Sequence, residues 1–251
     1  MNLETIKNLN LFKDELLDLE KLKNQGFNNI NYLLKTSNKS YIVRVFKSKN
    51  SVNISREFEF KTQKKAWKKN IASKAIFLNN DFMIYEYTKG IHKTKLEKED
   101  LKNLISKIKK IHKIKLKTPT YDLDADLNMY RDSLKDDKSK KLIKESFKSL
   151  KKLKKEKIQL GLVHHDLNPK NIIFTKDNIK IIDWEYTGTN DIFFDLATIC
   201  IEFNLSNKQE KLLVDFYFPK KKSFYTIKLM HYKIIYKNLC KLWFLKNIKL
   251  D

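Results

Sequence analysis

Apolar and polar positions alternate in the first third of the chain and cycle with a helical period after it. Residues 29–36 (NINYLLKT) and 40–46 (SYIVRVF) are β-rich runs separated by the turn triplet Ser37-Asn38-Lys39, which predicts a hairpin. Residues 17–24 predict the preceding strand, joined through a turn at Gly26-Phe27-Asn28-Asn29. Over 53–69 the apolar residues Ile54, Phe58, Phe60, Ala66 and Trp67 follow helical spacing, with Phe58 and Trp67 expected in the core. Residues 75–78 and 82–87 predict a second hairpin about Asn79-Asn80. Beyond residue 95, Leu101, Leu104, Ile105, Ile108 and Ile111 fall on one face of a helix over 97–113. One or two helices follow over 126–157, and others over 192–204 and most of 207–247. Among them lies a short β insert of 161–164, 171–175 and 179–182. The pattern predicts an α+β chain. A small antiparallel-sheet lobe spans 1–87, a hinge Thr88-Lys89-Gly90, and a larger mainly helical lobe 91–251.

Composition removes several alternatives. The four glycines, Gly26, Gly90, Gly161 and Gly188, never share a loop, so neither GxxxxGK[ST] nor GxGxxG nor GxSxG is present. Cys200 and Cys240 form no CxxC pair, which argues against a disulfide framework or a zinc site. Met1 to Phe12 mixes charged and amide residues with apolar ones, unlike a signal sequence, and no apolar run approaches a membrane span. A cytoplasmic protein is expected. The net charge of +23 invites a nucleic-acid reading, but only Arg44, Arg56 and Arg131 among the 53 basic residues are arginines. Specific phosphate and base recognition draws on the arginine fork, whereas lysines interleaved with apolar residues are a solvated surface. No nucleic-acid partner is expected, and the oligomeric state stays open.

Against that basic background, residues 161–200 hold six acids and three lysines, a local charge of −3. Asp166 and Asn171 flank a loop containing Pro169, Asn171 opens an apolar strand, and Asp183 ends its partner. A hairpin returns its ends to one edge, which would bring Asn171 and Asp183 together with Asp166 on the adjoining loop. Phosphoryl transfer needs such a set: a carboxylate to orient the attacking hydroxyl, and a carboxylate with an amide to hold magnesium. His164 reads as a packing and hydrogen-bonding residue, since Asp166 already fills the role of base.

The run His164-His165-Asp166, then Asn171, then Ile182-Asp183-Trp184-Glu185-Tyr186, with Asn190, Phe194-Asp195 and Glu202 in register, resembles the aminoglycoside phosphotransferase and choline kinase families. The resemblance implies a protein-kinase-like fold that binds ATP and magnesium. By that likeness Asp166 is catalytic, Asn171 and Asp183 hold the metal, and Asp195 braces the catalytic loop. Arg44 takes the place of the phosphate-pairing strand residue, with Glu59 its helix partner and Glu57 the rival. Asn28 and Asn29 belong to a nucleotide loop, and Glu86 and Tyr87 to the strand that offers backbone groups to adenine. Tyr186, Glu202 and Trp243 would receive a small cationic alcohol, choline or ethanolamine by preference, with plain packing the rival reading for Tyr186 and Trp243. The Trp-x-x-Trp of choline kinases here reads Cys240-Lys241-Leu242-Trp243. Two other readings stay open: phosphorylation of an aminoglycoside, sugar or amino acid by the same machinery, and a non-catalytic binder of nucleotides or nucleic acid.

Overall fold

The structure, a computed structural model, describes residues 1–23, 25, 28–47, 55–220 and 223–247. Gly26 and Phe27 of the expected turn, and Ile54 at the start of the expected helix, lie outside the described residues. The chain divides into two compact units: Met1–His92 with Ile172–Tyr186, and Lys93–Asn171 with Thr187–Asp251.

The first unit begins with a short helix α1 (Leu3–Lys7), N-capped by Asn2 and absent from the pattern-based expectation. Then come β1 (Leu16–Lys21), β2 (Asn29–Thr36), β3 (Ser40–Phe46), helix α2 (Arg56–Lys68), β4 (Ala75–Leu78) and β5 (Phe82–Glu86). The strands make one sheet, order β1-β2-β3-β5-β4, with every neighbouring pair antiparallel. Alternation along β3 sends Tyr41 and Val43 to one face, where they join Ile6, Leu34, Phe82 and Ile84. Ile42 takes the other face with Met83 and Tyr85, against Phe60 of α2. Arg44 shares the register of Ile42, so the α2 side of the sheet carries a guanidinium in its interior, only 3% exposed. Ser55 caps α2 by accepting from the Phe58 N–H at 3.2 Å. Trp67, expected in the core, is instead 38% exposed, with Lys74 Nζ 5.5 Å over its ring. The buried residues of α2 are Glu59, Thr62, Gln63 and Ala66, so the helix turns Trp67 away from the sheet.

The second unit starts with α3 (Lys98–His112), whose predicted apolar stripe is fully buried, then α4 (Leu123–Ser133) and α5 (Asp137–Leu153). Strand β6 (Leu160–Val163) follows, and a 3-10 turn at Pro169–Asn171 ends this stretch. The chain then returns to the first unit as the antiparallel hairpin β7 (Ile172–Phe174) and β8 (Ile179–Ile181). That hairpin is tied to the first unit by paired backbone bonds, Ile91 N–H to Phe174 O and Phe174 N–H to Ile91 O, both 2.9 Å. Beyond it, β9 (Gly188–Asp191) pairs with β6, followed by α6 (Phe193–Glu202), α7 (Asn207–Tyr217) and α8 (Phe224–Asn247). Strand β6 therefore pairs with a strand that the sequence pattern did not announce, rather than belonging to the β7–β8 insert. Helix α6 is buried from Phe193 to Cys200 and packs on α8. Lys228 of α8 is 1% exposed and reaches Asp191 at 2.5 Å and the Lys157 carbonyl at 2.7 Å, fixing α8 to the end of β9. Among the described residues no helix is long and apolar enough to cross a membrane.

Gly90 shows how closely the first unit's hairpin is docked. A Cβ there would lie 2.5 Å from Ile173 Cγ2 and 2.6 Å from the Phe174 carbonyl oxygen, closer than packed atoms approach. Gly90→Ala is expected to cost about 1–3 kcal/mol, the usual penalty of overpacking. Denaturant unfolding would measure it; a variant as stable as the parent would mean that the hairpin yields freely at this point.

Candidate active site

In the first unit, Arg44 organises a cluster of charges. Its Nη1 donates to Glu59 Oε1 at 2.9 Å, and its Nη2 donates to Asp183 Oδ1 at 2.6 Å and to Glu185 Oε2 at 3.0 Å. Helix α2 contributes Glu59 and, one turn earlier, Arg56, whose Nη1 reaches Glu59 Oε2 at 2.8 Å and Glu185 Oε2 at 3.0 Å. Glu57, the rival partner for Arg44, is exposed and accepts from the Ser55 hydroxyl. Desolvation works against the Arg44 charge, but Asp183 and Glu59 outweigh it and raise its pKa. Burial likewise lifts Glu59 above the ordinary carboxylate range, although Arg44 and Arg56 oppose it. Asp183 follows the β8 strand with φ of 66°, the left-handed region that Asp adopts more readily than most residues.

The nucleotide-loop candidates join the same cluster. Asn28 Nδ2 donates to Glu185 Oε1 at 2.9 Å and to the Tyr186 hydroxyl oxygen at 2.8 Å, while Asn29 Nδ2 donates to Glu185 Oε2 at 3.0 Å. Tyr186, expected at the acceptor, is thus described with the first unit, beside Asn28. Glu86 closes β5 and pairs with Lys39 at 3.4 Å. The Tyr87 N–H donates to the Ser40 carbonyl at 2.9 Å, and its side chain is exposed.

In the second unit a loop presents Asp166. Asn171 Nδ2 donates to its Oδ2 at 2.7 Å and to its carbonyl oxygen at 2.9 Å, and Asn168 Nδ2 donates to its Oδ1 at 2.8 Å. The Asn171 amide nitrogen faces Asp166, so its carbonyl oxygen is turned away from that carboxylate. His164 is fully buried, and its Nδ1 accepts from the Asp166 N–H at 3.3 Å. Beneath the loop, Asp195 accepts the His164 and His165 N–H groups at 2.9 and 3.0 Å and the His112 Nε2–H at 3.0 Å. His165 has φ of 69°, in the left-handed region that costs a non-glycine residue about 1–3 kcal/mol. Its ring is held at 2.9 Å from the Asn190 amide and between the rings of Tyr121 and Phe194, at 5.0 and 4.9 Å. Glu202, at the end of α6, accepts from the Tyr236 hydroxyl of α8 at 2.9 Å. Trp243 lies further along α8, 36% exposed, with its ring edge-on to Phe244.

Residues 21–219 match the phosphotransferase enzyme family, APH. The chain belongs to that family. It is 27% identical over 162 residues to a LicA homolog from Mycoplasma capricolum, covering 64% of this chain and 66% of that protein. It is 35% identical over 86 residues to the protein LicA of Haemophilus influenzae, covering 33% of this chain and 32% of that one. The chain therefore spans less than two thirds of the length of either relative. The structure of choline kinase LicA from Streptococcus pneumoniae superposes with a TM-score of 0.81 at 23% identity, over 98% of this chain and 89% of that one. The fold is accordingly protein-kinase-like and α+β.

Several residues that shape the cluster and the loop were given no role by sequence reasoning. Glu185 stood next to Tyr186 in the quoted motif, and Arg56 lies three residues before Glu59, but neither had an assigned partner. His112 and Tyr236 gave no local signal, because their partners lie 83 and 34 residues away, and Asn190, in register with the motif, had no assigned partner because His165 lies 25 residues away. Among the described residues no group of three or more His, Cys, Asp or Glu side chains forms a metal cluster. Magnesium held through one or two protein oxygens and the phosphates of its nucleotide requires none.

Asp195 yields a test. Burial alone would raise its pKa, but the hydrogen bond and charge of His112, with His164, hold it below the ordinary value. A carboxyl depressed in the folded state stabilises above its unfolded pKa, about 3.9, and loses that contribution as pH falls through the folded value. Asp195→Ala is expected to cost about 3–5 kcal/mol at neutral pH, since it strands three buried donors. The gap between parent and variant in urea unfolding should narrow as pH drops below about 4. A gap that is absent at pH 7, or that widens in acid, would contradict this role.

Proposed function

We propose that the protein transfers the γ-phosphoryl group of ATP to the hydroxyl of a small cationic alcohol, choline or ethanolamine, with magnesium. The observation that carries this reading is Asp166, whose two carboxylate oxygens are fixed by Asn168 and Asn171 at 2.8 and 2.7 Å while keeping further acceptor capacity. A carboxylate held in one orientation can align a hydroxyl as it attacks phosphorus and take its proton as the new P–O bond forms and the β–γ bridging bond breaks.

Asn171 and Asp183 are the proposed magnesium ligands, and their chemistry fits: a carboxylate and an amide oxygen are hard donors of the kind this ion prefers. Bound magnesium would neutralise charge on the phosphate oxygens. Arg44, held by Glu59, sets the phosphates, and Asn28 and Asn29 line the nucleotide turn. Glu86 and Tyr87 carry the backbone next to adenine. For the acceptor, a quaternary ammonium has charge but no N–H to donate, so a carboxylate and aromatic faces suit it. Glu202 with Tyr236 supplies both at one place, supporting Glu202 as the anchor, and Tyr186 and Trp243 remain proposed contacts of the acceptor. The solved neighbour's description as a choline kinase supports the same class of acceptor.

An ADP-release assay with choline, ethanolamine, aminoglycosides and sugars tests the reading. Choline or ethanolamine should be turned over. Chelating the metal should stop the reaction. Asp166→Ala should slow it by about 10²–10⁴-fold, and Asp183→Ala should abolish it, with circular dichroism unchanged. Full activity in either variant would refute the mechanism, and turnover of an aminoglycoside or sugar alone would refute the acceptor.

A further inference from the structure

Glu185 ties together several segments of the first unit. It is 8% exposed and accepts four hydrogen bonds from residues of three separate segments: Asn28 and Asn29 at the start of β2, Arg44 of β3 and Arg56 of α2. Three of the four converge on Oε2, at 3.0 Å each. Both Asn28 and Asn29 present their amide nitrogens to this carboxylate, which fixes the flip of each amide and leaves its oxygen on the other side. Arg44 Nε and Arg56 Nη2 are buried with no hydrogen-bond partner among the described residues. The cluster thus retains N–H donors that an anion could satisfy.

We propose that Glu185 is a positioning residue for the nucleotide phosphates, acting through Asn28, Asn29, Arg44 and Arg56 and not by touching the phosphates itself. It also places Arg56 as the second arginine facing the phosphates. The inference rests on the function proposed above and adds a residue to its nucleotide end. The geometry separates positioning from simple charge. Removing one negative charge beside two arginines would, by Coulomb's law alone, favour a polyphosphate. Removing the carboxylate that orients four donors would disfavour it, because misplaced contacts of this kind weaken binding steeply.

The test is calorimetric binding of ADP with magnesium to the full chain, the parent beside Glu185→Gln, Glu185→Ala and Glu185→Asp. Glu185→Gln keeps the shape but turns a donor toward groups that are themselves donors. Its dissociation constant for ADP should rise on the order of 10- to 100-fold, and that of Glu185→Asp by less. In turnover, KM for ATP should rise while KM for the alcohol acceptor stays near the parent value, a split that general loss of folded protein would not produce. Should Glu185→Ala fail to fold, Glu185→Gln carries the comparison. Unchanged or tighter ADP binding by folded Glu185→Gln would overturn the inference alone. A parent protein that binds no ADP would overturn the inference together with the proposed function.

Discussion

One buried charge governs the first unit. A guanidinium on the interior face of a sheet is costly unless its donors are met by fixed acceptors, and an unpaired one would be strongly destabilising. Arg44 meets that demand with Glu59 from α2, Glu185 from the segment after β8, and Asp183 beside it. The partners come from two other parts of the chain, α2 and the segment after β8, so satisfying the arginine fixes the helix, the strand and the end of the hairpin relative to one another. Neutralising five charged groups with the fewest exposed atoms is a poor way to gain stability, since apolar packing would do as well. What it provides is a set of polar side chains held in place, of which Asp183 remains partly open, its side chain 29% exposed.

The second unit repeats the device with the sign reversed. Asp195, fully buried at the start of α6, collects two backbone N–H groups and the His112 ring, and the loop above it is drawn into a strained turn at His165. The strain is stored where the surroundings over-determine the backbone, with the Asn190 amide and the Tyr121 and Phe194 rings holding the imidazole. The consequence is an Asp166 side chain with no freedom to swing, gripped on one oxygen by Asn168 and on the other by Asn171. Pre-organisation of this kind lowers the reorganisation needed when a proton moves.

The hairpins were legible because alternation and turn triplets act over a few residues, and Arg44 was legible as a lone charge in the alternating run Tyr41–Phe46. Helix α3 declared itself through a clean apolar stripe. Strand β9 did not, since Gly188-Thr189-Asn190-Asp191 has no apolar alternation and exists because β6 and the Thr120 backbone offer it partners. The five-residue α1 is too short to show a period. Around the candidate site, Asp166, Asn171 and Asp183 stood out by spacing. The hub role of Glu185 did not, because its four donors lie 129 to 157 residues away. Trp67 was misjudged for the same reason: helical spacing says which residues share a face but not which face meets the sheet.

The local acidity of residues 161–200, set in a chain of +23, suits the proposed metal ion and cationic alcohol. The most direct test of that account is phosphorus NMR of the protein with ATP, magnesium and choline. A phosphomonoester resonance of phosphorylated choline should grow one-for-one with the loss of the ATP γ-phosphorus. Release of inorganic phosphate without the ester, or an ATP spectrum unchanged by the protein whatever small alcohol is added, would contradict it.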